Sequence, residues 1–371
     1  MQTPTRRATF AILAAAAVLA ASQASAQTAV PAAAKAVHDR LLTLDSHVDV
    51  LLPGTNPRYF ATDGTSFTSL DKLKAGGVDA VVYAVAVSTG PRTAAGYAAA
   101  ETEAKAKLAW IQALPKDSGG AIQLARTPAD IRRIVASGKI AVLTGFLNAY
   151  SLGEDLSAFD PYFAGGVRVA GLTHAGNNAF ADSSRPQAGT GAEHGGLSPL
   201  GKAAIARFND LGVLVDVSQL TPDGLRQTLA ITRAPVVASH SAARPLVDVT
   251  RNLSDAELDA IKANGGVVQV PAFNSYLAAK AAGQDEQPKA TLKAYVDHID
   301  YIAKRIGVDH VGVGTDFNHG SGIVGFADAS QAPAVTAELL ARGYSQADLA
   351  KIWGENFLRV LGAAQAAAKA S

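Results

Sequence analysis

Short runs of branched and apolar residues recur along this chain, spaced so that a helix fits between most neighbouring pairs. They fall at residues 41–47, 80–87, 140–147, 167–172, 214–217, 235–238, 267–270 and 310–314. The runs are continuous rather than alternating, which suits strands covered on both faces, as in a parallel sheet. Between them, residues 98–114, 128–136, 201–211 and 255–263 carry apolar positions at helical spacing. Thr127-Pro128 and Ser254-Asp255 read as helix starts, and Gly265-Gly266 as a stop. Eight strands alternating with helices predict an α/β fold of the (β/α)8 TIM-barrel type, with a doubly wound sheet as the other topology such alternation allows.

The first 26 residues stand apart from this rhythm. Arg6-Arg7 precede an apolar run at 10–21, and Ala24-Ser25-Ala26 offers a small-residue cleavage site. The run is shorter than the ~20 residues a spanning helix needs. Residues 1–26 therefore read as a signal peptide, 27–371 as one barrel domain, and the location as periplasmic or secreted. Two stretches interrupt the barrel pattern. Residues 182–196, rich in Ser, Gly and Pro, predict a long loop over the mouth, a candidate lid; residues 281–289 predict a polar surface excursion.

Composition narrows the chemistry. There is no cysteine, so thiol nucleophiles, thiolate metal sites and disulfides are excluded. Lys plus Arg number 33 against 32 Asp plus Glu, so no net field favours nucleic acid or an anionic membrane. No Gly-x-Ser-x-Gly elbow and no His-Glu-x-x-His helix is present, which sets aside serine hydrolases and helix-borne zinc proteases. What remains gathers at strand ends: His47 and Asp49, His174 with Asn177 and Asn178, Gln219, His240, and Asp316. Loops after barrel strands build active sites, and an imidazole two residues from a carboxylate on one strand can share a divalent ion.

These residues lie in motifs that resemble the membrane dipeptidase (renal dipeptidase) family, peptidase family M19 of the amidohydrolase superfamily. The motifs run in order through the chain. They are Asp45-Ser46-His47-Val48-Asp49, Leu172-Thr173-His174, Gly195-Gly196-Leu197-Ser198-Pro199-Leu200-Gly201, Val215-Asp216-Val217-Ser218, Ser239-His240-Ser241, Arg251-Asn252-Leu253 and Gly314-Thr315-Asp316-Phe317. The resemblance implies a zinc-dependent barrel that hydrolyses dipeptides or related small amides. It implies His47 and Asp49 as ligands of one zinc and His240 of a second. His174 would stabilise the tetrahedral intermediate, Arg251 would hold the substrate carboxylate, and Asp316 would carry protons. Tyr150 and Asn148 lie where the mouth would shape substrate binding. Relatives are often dimers, which makes a homodimer an expectation, with no interface located in the sequence.

The chain also departs from the family at two places. Leu147 stands where the family has a glutamate bridging two metals, and Gln219 where it has a histidine ligand. Leucine cannot bind a metal and an amide is a weak ligand. The expectation is a depleted site holding zinc, as one or two ions, or a single ion of zinc or a harder divalent metal, with Gln219 or Asn148 as a weak oxygen ligand; a catalytically silent ligand-binding barrel is the competing class.

Other signals have plainer readings. Residues 196–203 fit most of a phosphate loop, but Ala203 replaces its hydroxyl residue, and a helix start capped by Ser198 and opened by Pro199 accounts for the pattern. His194 reads as a solvated loop residue, Asp297-His298 and Asp309-His310 as structural, His319 as an extra contact in the last loop, and Tyr276 as a residue that shapes the mouth or packs.

Overall fold

The computed structural model describes residues 30–280 and 286–369. Nine strands form one parallel sheet: β1 (Leu44–Asp49), β2 (Ala80–Ala86), β3 (Ile122–Leu124), β4 (Ile140–Leu147), β5 (Val167–Gly171), β6 (Leu214–Asp216), β7 (Val237–Ala238), β8 (Val267–Val270) and β9 (Val311–Val313). Eight of them follow one path, β1-β2-β4-β5-β6-β7-β8-β9. The path returns on itself where Val48 bridges Phe317 in parallel, with the Asp49 amide donating to the Phe317 carbonyl and the Asp316 amide to that of His47, each at 3.0 Å. A doubly wound sheet has two free edges; this closure makes a (β/α)8 barrel.

The short β3 was not legible as a strand. It pairs with the first half of β4 through Ile122, Gln123 and Leu124, and β5 takes over that edge from Thr144 onward. Three residues give too short a pattern for periodicity to detect. The first strand also sits later than expected, because residues 39–43 serve as the turn after a helix at Ala32–His38. His47 and Asp49 therefore lie within β1 rather than beyond it.

The helices start where their caps dictate. Oγ of Thr93, Thr127, Ser198, Thr221, Ser254 and Thr291 each accepts from a backbone N–H in the first turn. Each such cap contributes roughly 1 kcal/mol. The Thr127 and Ser254 helices span Pro128–Ala136 and Asp255–Asn264, and Gly265 ends the second in the left-handed conformation at φ 79°. Outward residues of the strands meet the helices: Tyr83 lies edge-on to Trp110, 5.3 Å between ring centroids. The lower barrel interior is an apolar plug including Leu44, Val82, Leu143, Val169 and Val267, packed with Phe357 and Leu361 of the C-terminal helix. That plug fixes the strand ends above it, where the polar residues gather.

The read signal peptide and the first half of the 281–289 excursion lie outside the described residues. Among the described residues no helix is long and apolar enough to cross a membrane.

Candidate metal centre

A bulge in β1 aims the first two site residues. Asp45 pairs with Val81 and Val48 with Tyr83, so β1 carries one more residue than β2 across this step. The Asp45 carboxylate turns to Thr315, accepting from its amide at 2.9 Å and its hydroxyl at 2.5 Å. Beyond the bulge His47 and Asp49 project together. The His47 ring stacks on that of His240, 3.9 Å between centroids and 18° from parallel. His47 Nε2 lies 3.9 Å from Asp316 Oδ1 and 3.7 Å from Asp49 Oδ1.

Ligand atoms of His47, His240 and Asp316, all buried, lie within 4.8 Å of one another. Three convergent N and O donors suit one divalent cation. Asp316 is held at this point by a left-handed backbone, φ 59°, an unusual conformation for a non-glycine residue. Burial pushes its carboxyl up, partly offset by His319 and His47.

Asp49 points a different way. Its Oδ2 is 2.7 Å from His319 Nδ1, and its buried Oδ1 has no hydrogen-bond partner. Burial opposes charge on both groups, but their mutual attraction wins: Asp49 is held below the usual carboxylate range and His319 above the usual histidine range. The extra contact read for His319 is thus an ion pair at the centre. A cavity of about 360 Å³ opens beside it, lined by Asp49, Tyr59, Lys107, His174 and His319 among others. His174 is edge-on to His319 at 5.1 Å, and its buried Nδ1 has no partner. Burial, then repulsion from His319, keeps its ring neutral well below the ordinary histidine pKa.

The two departures from the family pattern have concrete surroundings. Leu147 is buried at the end of β4 in a small apolar cluster with Ala84 and Ala86. Gln219, also buried and at φ 69°, donates from Nε2 to His240 Nε2 at 3.1 Å and accepts at Oε1 from Arg185 Nη2 at 3.0 Å. On its other ring nitrogen His240 meets Ser239 Oγ at 2.8 Å, and that hydroxyl donates to Asp216 at 2.5 Å. Burial, followed by the nearby His47 and Arg251, holds His240 well below its ordinary pKa. Among the described residues, His47, His240 and Asp316 thus form the cluster that can coordinate a divalent ion.

Arg251 is buried, donates to the His240 carbonyl at 2.9 Å, and stands 5.0 Å over the Tyr276 ring. Asn148 and Tyr150 are not brought into the cluster. The Asn148 amide donates to Val87 and Thr89 and accepts from Tyr150 N and Asn178; the Tyr150 hydroxyl donates to Pro91. Arg185 escaped the sequence reading, and Ser239 and Asp216 entered it only as motif residues without a role. Arg185 lies in the loop read as a lid, and a lone arginine in that Ser- and Gly-rich stretch was the signal available.

Known proteins agree with this architecture. The probable dipeptidase PvdM from Pseudomonas aeruginosa superposes with a TM-score of 0.84 at 38% identity, covering 91% of this chain and 98% of that one. A metallopeptidase from Rhodobacter sphaeroides, solved with a phosphinate mimic of the dipeptide L-Ala-D-Ala, superposes with a TM-score of 0.76 at 25% identity, covering 87% and 99%. Dipeptidase tcpJ of Claviceps purpurea is 37% identical over 241 residues, 65% of this chain and 55% of that protein. The matched region thus spans about half the length of that curated relative. The model of the membrane dipeptidase family matches residues 31–371. With a closed barrel, a His/His/Asp cluster at its mouth and a match along nearly the whole described chain, this protein belongs to the membrane dipeptidase family, peptidase family M19.

Proposed function

We propose that the chain is an exported hydrolase of dipeptides or related small amides that works with one divalent ion, zinc in the first instance, at an altered M19 centre. The observation that carries this reading is the convergence of His47, His240 and Asp316. A divalent ion held there supplies Lewis-acid polarisation and a more acidic water. The chain's own groups do the rest. The Asp316 carboxylate, beside the position such an ion would take, would accept a proton from the attacking water and return it to the leaving amine. The neutral His174 offers its unpartnered Nδ1 to the carbonyl oxygen as charge develops. Arg251 presents Nε and Nη1, both buried without acceptors, to the substrate carboxylate. Export rests on the sequence of residues 1–26, which precede the family match.

One observation favours a second reading, a binding protein without turnover: the Gln219 amide occupies His240 Nε2. An ion bound to that nitrogen displaces the amide. The deciding experiment combines elemental analysis of the exported protein with a dipeptide hydrolysis screen, run beside Asp316→Asn. One zinc per chain and turnover reduced about 100-fold by Asp316→Asn supports the hydrolase. No ion after zinc, manganese or iron is offered, and no turnover, supports the binding protein.

A further inference from the structure

Two arginines stand at this centre outside any direct ion pair, although the Asp316 carboxyl is near enough to act on the charge of Arg251. Among the described residues neither Arg185 nor Arg251 has a carboxylate within ion-pair distance, although both are placed by other contacts. Arg251 Nε and Nη1 and Arg185 Nε are buried N–H groups with no acceptor. Both reach His240: Arg185 through the Gln219 amide that lies 3.1 Å from the ring, and Arg251 through the His240 carbonyl at 2.9 Å. Arg251 is buried and Arg185 half-buried, and a buried donor left without an acceptor is costly, more so when it carries charge. A protein tolerates such an arrangement when a ligand supplies the missing acceptors.

Arg185 is also held in place. Its amide donates to Ser183 Oγ at 3.1 Å, its carbonyl accepts from Gly176 N at 2.7 Å, and Ser184 N donates to the Gln219 carbonyl at 2.8 Å. The loop is thereby stitched to the end of β6, with the guanidinium resting on the amide that replaces a metal ligand. A fixed guanidinium cation stands beside the position where relatives of this family pattern place a histidine for a second metal.

We propose that Arg185 is a second anion anchor, so that the preferred ligand is a dipeptide-like dicarboxylate: one carboxylate on Arg251 and another, from an acidic side chain, on Arg185. This rests on the dipeptide reading of the site. Arg251 alone satisfies a single C-terminal carboxylate; the third unpaired donor, on a separate loop, calls for a second acidic group. Arg185 then acts as a specificity-determining residue, selecting by charge rather than by pocket size.

The test is calorimetric binding of three phosphinate dipeptide mimics, Ala-Ala, Asp-Ala and Ala-Asp, to the zinc-loaded and the metal-free chain. One acidic mimic binds about 10-fold or more tightly than Ala-Ala in both forms, the scale of one charge-assisted hydrogen bond. Arg185→Met erases that preference, read as the ratio of acidic-mimic to Ala-Ala affinity within the same variant, while Arg185→Lys, which keeps the charge and serves if the first variant does not fold, retains part of it. Equal binding of all three mimics, or a preference that survives Arg185→Met, overturns the inference and leaves the dipeptide reading standing. Binding of none overturns both.

Discussion

The side-chain amide of Gln219 lies 3.1 Å from His240 Nε2, and Arg185 decides which way round it sits. A guanidinium only donates, so the Gln219 oxygen must face Arg185 and its NH2 must face the ring. His240 therefore accepts at Nε2 and donates from Nδ1 to Ser239, whose hydroxyl passes to Asp216. A relay of five groups, from Arg185 to Asp216, fixes one neutral tautomer of His240, with its Nε2 lone pair engaged by an amide.

It follows that the amide competes with a metal. Gln219→Asn keeps a residue type that tolerates the left-handed backbone here, φ 69°, but shortens the reach to His240. Removing a hydrogen bond worth about 1 kcal/mol frees the nitrogen, so zinc should bind roughly 5-fold more tightly. Titration calorimetry with zinc measures it. Unchanged affinity would mean that His240 binds no ion through Nε2.

Leu147 tests the other departure. A glutamate introduced there enters the apolar cluster of Ala84 and Ala86. Without an ion, burying that carboxylate costs several kcal/mol or forces it to stay protonated. Leu147→Glu should melt well below the parent in chelator and recover on adding zinc, because an ion bound only to the folded chain stabilises it. Paired with Gln219→His, it should raise the zinc content from about one to about two per chain. A double variant that still holds one ion would show that the barrel mouth itself excludes the second.

The loop carrying Arg185 hangs on one carboxylate. Asp182 accepts from the amides of Glu193 and Gly196 and, with both oxygens, from that of His194, at 2.8–3.2 Å. His194 adds a bond from its ring to the Asn178 carbonyl at 2.8 Å, so it is a tie of the loop rather than a solvated residue. Asp182→Ala strands three amides and should cost about 2–4 kcal/mol, with faster proteolysis between residues 186 and 193. Limited proteolysis and denaturant melts report both. Loss of stability without faster cleavage would place the effect in the core instead.

Much of this was visible in the chain itself, for physical reasons. The caps at Thr127, Ser198 and Ser254 depend on one residue and its third neighbour, so local sequence suffices to place them. Seven of the eight expected strand runs overlap ring strands closely, while β1 starts later because residues 39–43 form the turn after the first helix; its bulge is set by pairing with β2 and by Asp45 reaching Thr315, 270 positions away, which no local pattern shows. His47, His240 and Asp316 could be gathered from strand-end position alone. What could not be read is orientation: Asp49 turning to His319, Asn148 committing its amide to Val87, Thr89 and Asn178, and Arg185 reaching Gln219 are choices among long-range partners.

His298 gives the clearest dependence on acidity. Its ring is buried against the helix 292–306 core, and Nδ1 accepts from the Ala243 amide at 3.1 Å. Burial lowers its pKa from 6.5 to about 4, with Asp297 and the Leu277 carbonyl opposing. The folded chain thus resists a proton that the unfolded chain accepts below about 6.5. Its contribution is complete above that pH and is lost as pH falls from about 6.5 to about 4, at up to roughly 1.4 kcal/mol per pH unit. Below about 4 both states carry the proton and the slope from this group vanishes. Carboxylates also titrate toward the acid end, so the useful quantity is the difference from a variant. His298→Asn places an amide oxygen near the position of Nδ1, keeps the Ala243 bond and removes the titration. Denaturant melts across pH 4–7 should show the parent losing about 2–3 kcal/mol more than the variant. Parallel curves would mean that His298 titrates alike in the folded and unfolded chains, so that burial does not hold its ring neutral.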